Sequence, residues 1–179
     1  EAVSYYDTAI ARTEAIEARH WSLYYSRGVT LERIDQWSRA EADFLKALEL
    51  QPDQPLVLNY LGYSWVEQGI NLEYALELIE RAVTLRPTDG YIIDSLGWAF
   101  YRLGDFKNAV KHLERAVELR ADDPIITDHL GDIYWRVGRE LEARFQWERA
   151  LVLGAAEDAA VLIRQKLEEG LADIEEETP

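Results

Sequence analysis

The chain has 179 residues, 48% of them hydrophobic, and a formal net charge of −15, which suits one domain or a short array of small units. It contains no cysteine, which excludes disulfides and thiolate metal sites, and its acidity argues against nucleic acid, whose phosphates need a basic surface. No apolar run approaches the roughly 20 residues of a membrane-spanning helix.

The first ten residues have the pattern of the second helix of a helix pair. Ala2, Tyr6 and Ala9 follow the spacing of small and aromatic residues that recurs later in the chain. A second helix without its partner is half a repeat, so we expect further sequence upstream. Residues 1–20 are therefore predicted as this helix and a join that is about one helical turn longer than the later joins.

The next predicted unit covers residues 21–54, and a ladder of small, large and aromatic residues defines it. The ladder residues are Tyr24, Gly28, Leu31, Ala40, Phe44, Ala47 and Pro52. Asp35 stands where later units have a turn glycine, and Asp tolerates the left-handed conformation. Ser38 and Glu41 have the spacing of a capping box that opens the second helix.

The same ladder returns in three more units, residues 55–89, 90–123 and 124–157. Their ladder residues are Leu61, Gly62, Trp65, Gly69, Ala75, Ile79, Ala82 and Pro87; Leu96, Gly97, Phe100, Gly104, Ala109, Leu113 and Ala116; and Leu130, Gly131, Tyr134, Gly138, Ala143, Trp147 and Ala150. Residues 158–172 continue a helical stripe, predicted as a capping helix, and residues 173–179 are predicted as a disordered acidic tail.

This ladder resembles the tetratricopeptide (TPR) repeat, a pair of helices of about 34 residues. The glycines and alanines let two helices approach closely, and the aromatics fill the remaining space. The resemblance implies an all-α fold, an α-solenoid of antiparallel helix pairs in a right-handed superhelix that ends in a capping helix. It also implies a non-catalytic scaffold that binds a partner segment in a concave groove.

In TPR proteins the first helix of each pair lines this groove, at offsets 2, 5, 9, 12 and 13 from the start of the repeat. Transferred to this sequence, the candidate partner-binding residues are Tyr25, Arg33, Asn59, Tyr63, Asp94, Trp98, Tyr101, Arg102, Asp128, Asp132, Trp135 and Arg136. Trp98 and Trp135 occupy offsets that the repeat does not require to be large. They are predicted either as anchors for a peptide, since Trp, Tyr and Arg concentrate binding energy, or as extra core between neighbouring helices.

Three arginines share offset 13, namely Arg33, Arg102 and Arg136. They are predicted either to meet a carboxylate of the partner or to pair with acids of adjacent helices. The TPR residues that clamp the acidic tails of chaperones, Lys at offset 5 and Asn at offset 9, are absent here.

Signs of catalysis are weak, because the glycines sit singly and no phosphate loop, nucleophile elbow or HExxH motif occurs. No cofactor and no metal are predicted. His129 with Asp128 and Asp132 has the spacing of a metal site on one helix, but acidic helices produce that spacing freely.

The partner predicted from the resemblance is a protein or peptide, with no nucleic acid and no membrane span in this segment. The segments NYLGYSWVEQG, YIIDSLGWAFYRLG and DHLGDIYWRVG are similar to repeats of bacterial envelope TPR lipoproteins that serve a carboxyl-terminal processing protease. This narrower resemblance implies a protease or its substrates as partners and a periplasmic location. The alternatives are a substrate-recognition arm of a larger enzyme, such as a glycosyltransferase, and a module for self-association.

Overall fold

The computed structural model describes residues 2–172, and their regular structure is helical throughout, with no strand among them. The ten α-helices are α1 (Ala2–Ala11), α2 (Trp21–Glu32), α3 (Trp37–Leu50), α4 (Pro55–Gln68), α5 (Leu72–Leu85), α6 (Gly90–Arg102), α7 (Phe106–Leu119), α8 (Pro124–Arg136), α9 (Glu140–Val152) and α10 (Glu157–Glu169). The fold class predicted from the sequence, an all-α helical repeat solenoid, is confirmed. None of the described helices is long and apolar enough to cross a bilayer.

The chain divides into two compact units, unit 1 (Glu1–Leu85) and unit 2 (Arg86–Pro179). Unit 1 contains α1 and the helix pairs α2–α3 and α4–α5. Unit 2 contains the pairs α6–α7 and α8–α9, followed by α10. The tail predicted to be disordered, residues 173–179, lies outside the described residues.

Each helix pair closes on the same contact, between a glycine of its first helix and a large residue of its second. A Cβ added to Gly28 would lie 2.7 Å from Phe44, one added to Gly62 2.7 Å from Ile79, and one added to Gly97 2.6 Å from Leu113. Gly131 meets Trp147 in the same way. Only a residue without a side chain allows the two helices to come this close, which is why the ladder places glycine there.

The turns inside the pairs use the left-handed conformation that the sequence predicts. Gly69, Gly104 and Gly138 have φ values of 67°, 77° and 77°, and Asp35 has φ 57° in the corresponding turn of α2–α3. Asp35 therefore does take the place of the turn glycine, as predicted.

The predicted capping box at Ser38 is wrong. Helix α3 begins at Trp37 with Gln36 as its N-cap, and no side chain caps it. The amide of Gln36 donates to the carbonyl of Leu31 at 2.9 Å, which closes the turn early and places Ser38 inside the first turn of the helix.

The core of unit 2 is built around Trp147, which is fully buried. Leu113, Ile133 and Ile163 pack in the same cluster, so α7, α8 and α10 share one core with α9. Burying a side chain as large as Trp contributes several kcal/mol. Helix α10 therefore belongs to the same hydrophobic core as the last helix pair, α8–α9.

Candidate functional site

Five of the predicted groove residues lie on α6 and α8 of unit 2, and we call this group the aromatic–arginine surface. It consists of Trp98, Tyr101, Arg102, Trp135 and Arg136. The rings of Trp98 and Tyr101 stack with centroids 4.6 Å apart and planes 4° from parallel. The Nε of Arg136 donates to the Tyr101 hydroxyl at 3.0 Å, and this hydrogen bond joins α8 to α6.

The members of this surface differ in exposure. Tyr101 is buried, Trp98, Trp135 and Arg136 are half-buried, and Arg102 is exposed. Trp98 also stacks on the ring of His129, with centroids 4.2 Å apart. The packing role predicted as the alternative for Trp98 is thus present, while part of the side chain still reaches the surface.

Trp135 lies between the core residue Trp147 and Gly170, the residue that follows α10. Its ring lies 5.5 Å from that of Trp147, and the Arg144 guanidinium lies 5.4 Å from its centroid. Gly170, the first residue after α10, packs directly on the outer part of the Trp135 ring. Arg136 donates from Nη1 to the carbonyl of Ala172. The last described residues therefore lie on the surface that the sequence predicts for a partner.

Beneath the surface, Asp94 of α6 binds His129 of α8. The Nδ1 of His129 lies 3.0 Å and 3.1 Å from the two carboxylate oxygens of Asp94, and both residues are buried. Burial alone lowers the pKa of His129, but the Asp94 carboxylate more than offsets this effect and the pKa rises to about 9. At neutral pH His129 is therefore an imidazolium, and its Nδ1 donates the hydrogen bond.

A second buried ionic group joins α8 to α10. The Nζ of Lys166 lies 2.9 Å from Asp128 and 2.7 Å from Asp132, and the indole Nε1 of Trp147 donates to Asp132 at 2.8 Å. Burial raises the pKa of Asp132 to about 6, although the Lys166 charge opposes the rise. The two carboxylates in turn raise the pKa of Lys166 despite its burial.

The two buried ionic groups, Asp94–His129 and Asp128–Asp132–Lys166, give partners to the three aspartates predicted to line the groove. Asp94 binds His129, and Asp128 and Asp132 bind Lys166. The same contacts use the residues of the weak metal-site pattern, and the part of the chain that the structure describes holds no cluster of His, Cys, Asp or Glu fit for a metal. These three acids are therefore paired with cations of α8 and α10.

In unit 1 the predicted groove residues differ in their surroundings. Tyr25 packs edge-on against Tyr60 with centroids 5.9 Å apart, and burial raises the pKa of Tyr25. Arg33 is exposed at the end of α2, and Tyr63 is half-buried. The Oδ1 atom of Asn59 is buried and accepts no hydrogen bond from the described residues.

Sequence reasoning missed His129 as a partner of Asp94, Lys166 as a partner of two aspartates, and Gly170 as a cover for Trp135. The first two pairings join residues one repeat apart, since 35 residues separate Asp94 from His129 and 34 separate Asp132 from Lys166. A search of the sequence for oppositely charged residues about one repeat apart would have identified these two pairings.

Paired helices, glycine contacts and left-handed turns define a helical repeat protein, and comparison with known sequences gives its family. The tetratricopeptide repeat profile matches residues 1–55, 31–90 and 95–160. The chain belongs to the tetratricopeptide repeat family. Repeats of this family serve as protein-interaction scaffolds and are generally non-catalytic.

A curated relative and two solved structures extend this comparison. The chain is 34% identical over 91 residues to the TPR repeat-containing protein PA4667 of Pseudomonas aeruginosa, a match that spans 51% of this chain and only 15% of that protein. A double mutant of MamA RS-1 superposes with a TM-score of 0.71 at 20% identity, covering 88% of this chain and 86% of the other. PilF of Pseudomonas aeruginosa gives a TM-score of 0.68 at 19% identity, covering 83% and 68%. At these identities the two structures show the shared fold.

Proposed function

We propose that the chain is a scaffold whose aromatic–arginine surface in unit 2 binds a segment of a partner protein. The observation that carries this proposal is the continuity of Trp98, Tyr101 and Arg136, joined by ring stacking and a hydrogen bond across two helices. Aromatic and arginine side chains held rigidly at a surface are the groups in which binding energy concentrates. The binding of a flexible segment to such a surface typically gives an affinity on the order of micromolar, because ordering the segment costs free energy.

The buried ionic groups support the same proposal by fixing the surface. The Asp94–His129 pair sets the position of the ring on which Trp98 stacks. Lys166 ties α10 to α8 beside Trp135. A surface held in place before binding loses less side-chain entropy when the partner arrives.

Unit 1 offers a smaller surface of the same kind, at Tyr25, Arg33, Asn59 and Tyr63. The Oδ1 of Asn59 is buried and has no hydrogen-bond donor among the described residues. A periplasmic location, a protease or its substrates as partners, and self-association stay predictions.

The proposed function is tested by selecting peptides that bind the full chain from a random displayed library. The affinity of a selected peptide is then measured by calorimetry for Trp98→Ala, Arg102→Glu and a matched control, Arg115→Glu. Arg115 is exposed on α7 and forms an ion pair with Glu118 of the same helix. The control therefore makes the same change of charge away from the aromatic–arginine surface.

We expect Trp98→Ala and Arg102→Glu to weaken binding at least about tenfold, and Arg115→Glu to leave it within a factor of about two. Circular dichroism confirms that each variant is folded. Equal binding by all three folded variants would show that the partner uses another surface.

A further inference from the structure

A cavity lies between the first turn of α8 and the first turn of α10, and we call it the α10 cavity. Its volume is about 460 Å³, which is within the range of pockets that bind ligands in proteins. Its wall is mainly apolar. The lining residues include Pro124 and Ile125 of α8, Ala155 and Ala156 of the loop after α9, and Ala159 of α10.

The α10 cavity arises where a repeat position that is large in α6 and α8 becomes small in α10. Ala159 follows Ile125 by one repeat length, and Ile125 follows Tyr91 by the same length. The loop before α10 lines the cavity with a glycine and two alanines, so it does not fill the space either. Ile125 stays 59% exposed, although burying an isoleucine is favourable. An exposed isoleucine beside an apolar cavity is a place that a partner's side chain would cover.

Two carboxylates line the α10 cavity, and they differ in their partners. Asp128 accepts hydrogen bonds from Lys166 through both oxygens at 2.9 Å. Asp158 is exposed, and its Oδ1 accepts from the amide of the next residue, Ala159, at 2.9 Å. The adjacent Glu157 is exposed as well. Within the part of the chain that the structure describes, neither Glu157 nor Asp158 forms an ion pair.

The apolar wall and the two unpaired carboxylates together select a partner with two neighbouring features. Acids in a first helical turn are favoured by the helix dipole, so these charges by themselves require no ligand. The cavity favours an apolar side chain, because its entry removes apolar surface from water. The carboxylates favour a cation beside that side chain and repel acidic segments. Lysine and arginine fit best, because their stems cover apolar surface while the charged group stays in water.

We propose that the α10 cavity is a second binding site of unit 2, which takes an apolar side chain of a partner protein while a neighbouring lysine or arginine of that partner pairs with Glu157 and Asp158. The site differs in place from the aromatic–arginine surface, because Trp135 and Arg136 lie at the opposite end of α8. Binding at the α10 cavity therefore goes beyond the proposed function and does not depend on it.

The test begins with a random displayed peptide library that is selected on the full chain. Selected peptides with an apolar residue within two positions of a lysine or arginine, which we call apolar–basic peptides, are synthesised with a fluorophore. Fluorescence anisotropy then measures their affinity for two variants. Ala159→Ile fills the cavity with the side chain that α8 has at the same repeat position. The charge variant, Glu157→Gln with Asp158→Asn, removes both carboxylates and leaves the cavity open.

Matched controls make the same changes elsewhere. Ala11→Ile adds the same side chain at an exposed position of α1, and Glu168→Gln with Glu169→Gln removes two exposed carboxylates at the other end of α10. Circular dichroism confirms that each variant is folded. If Ala159→Ile does not fold, the charge variant decides the outcome.

We expect Ala159→Ile to weaken the binding of apolar–basic peptides at least about tenfold, because the partner's side chain loses its place. The charge variant should weaken binding about threefold to tenfold, and added salt should reduce this difference, because exposed charges are screened. Both controls and Trp98→Ala should leave the affinity within a factor of about two. In a ¹H–¹³C spectrum, a bound peptide should shift the methyl signals of Ala155 and Ala159 and leave that of buried Ala47 unchanged.

The absence of apolar–basic peptides among the selected sequences would overturn the proposal, as would unchanged affinity for the charge variant or for folded Ala159→Ile. Light scattering covers another occupant: a dimer that Ala159→Ile converts to a monomer would show that a second copy fills the cavity, which overturns the partner proposed here. If selected peptides depend on Trp98 and none is apolar–basic, this site falls and the proposed function stands.

Discussion

The two units each attach an end helix through one cation and two carboxylates, but they place the cation differently. In unit 1 the cation is Arg27 of α2, which binds Asp43 of α3 at 2.7 Å and Asp7 of the end helix α1 at 2.7 Å. In unit 2 the cation is Lys166 of the end helix itself, and both carboxylates belong to α8.

Because of this difference, the two units lose different ion pairs when the end helix detaches. If α1 leaves, Arg27 keeps its two hydrogen bonds to buried Asp43. The half-exposed Asp7 loses Arg27 and the more distant Arg39. If α10 leaves, Asp128 and Asp132 are left without their cation. Helix α1 also contributes no buried residue, whereas α10 buries Ala160 and Ile163. We therefore expect α1 to be weakly attached and α10 to be part of the fold of unit 2.

The largest expected effect comes from removing the cation of unit 2. Lys166→Met should lower the free energy of unfolding by about 3–5 kcal/mol at pH 7, because it leaves two carboxylates in a buried site without their partner. Urea unfolding followed by tryptophan fluorescence measures the loss. Arg164→Met, an exposed position on the same helix, is the matched control and should cost less than about 0.5 kcal/mol. A loss below about 1 kcal/mol for Lys166→Met would contradict the conclusion that α10 is held more strongly than α1.

The second effect is a loss of stability of unit 2 with rising pH. The pKa of His129 is raised from 6.5 to about 9, so its contribution is fully present below pH 6.5 and is lost as pH rises through 9. The shift corresponds to about 3 kcal/mol. Hydrogen exchange of α8 amides, corrected for the intrinsic rate, should show this loss between pH 6.5 and 9, and His129→Gln should remove most of it. The raised pKa of Asp132, about 6, has the same sign but acts at lower pH, between about 4 and 6. An unchanged slope in His129→Gln would contradict the assignment.

The third effect compares the same ladder position in the two units. Gly131→Ala should cost about 2 kcal/mol and Gly28→Ala about 1 kcal/mol, after the better helix propensity of Ala offsets part of the overpacking. The difference arises because Trp147, which Gly131 touches, also donates to buried Asp132, while Phe44 opposite Gly28 carries no such bond. Thermal unfolding of the two variants ranks them, and the reverse order would contradict the role given to the indole.

The smallest effect is expected at the end helix of unit 1. Asp7→Ala should cost only about 0.5–1 kcal/mol, because the carboxylate is 46% exposed and such ion pairs contribute little. Hydrogen exchange should show faster opening of α1 with α2 and α3 unaffected. A cost as large as that of Lys166→Met would mean that both end helices are held alike.

Much of the fold was predictable because it depends on residues at fixed offsets. Gly28, Gly62, Gly97 and Gly131 recur at offset 8, and each meets a large residue at offset 24 of its own unit, or at offset 25 in the unit 55–89, which is one residue longer. The left-handed turn at Asp35 was predictable for the same reason. These are short-range constraints, so a periodic sequence carries them directly.

The candidate site was less predictable because its decisive contacts depend on packing between helices of different pairs. Offsets alone place Asp94 and Asp132 in the groove, but the structure turns them toward His129 and Lys166. Trp135 was predicted either to bind or to pack, and no ladder position indicates that Gly170 would cover it. That contact lies after the last repeat, where periodicity ends.

The most direct test of the binding surface uses the indole N–H signals of the six tryptophans in a ¹H–¹⁵N spectrum, assigned with single Trp→Phe variants. A peptide selected for binding should shift the signals of Trp98 and Trp135 at substoichiometric amounts and leave those of Trp37 and Trp65 unchanged. Shifts confined to the tryptophans of unit 1, with Trp98 and Trp135 unchanged at saturation, would contradict the account.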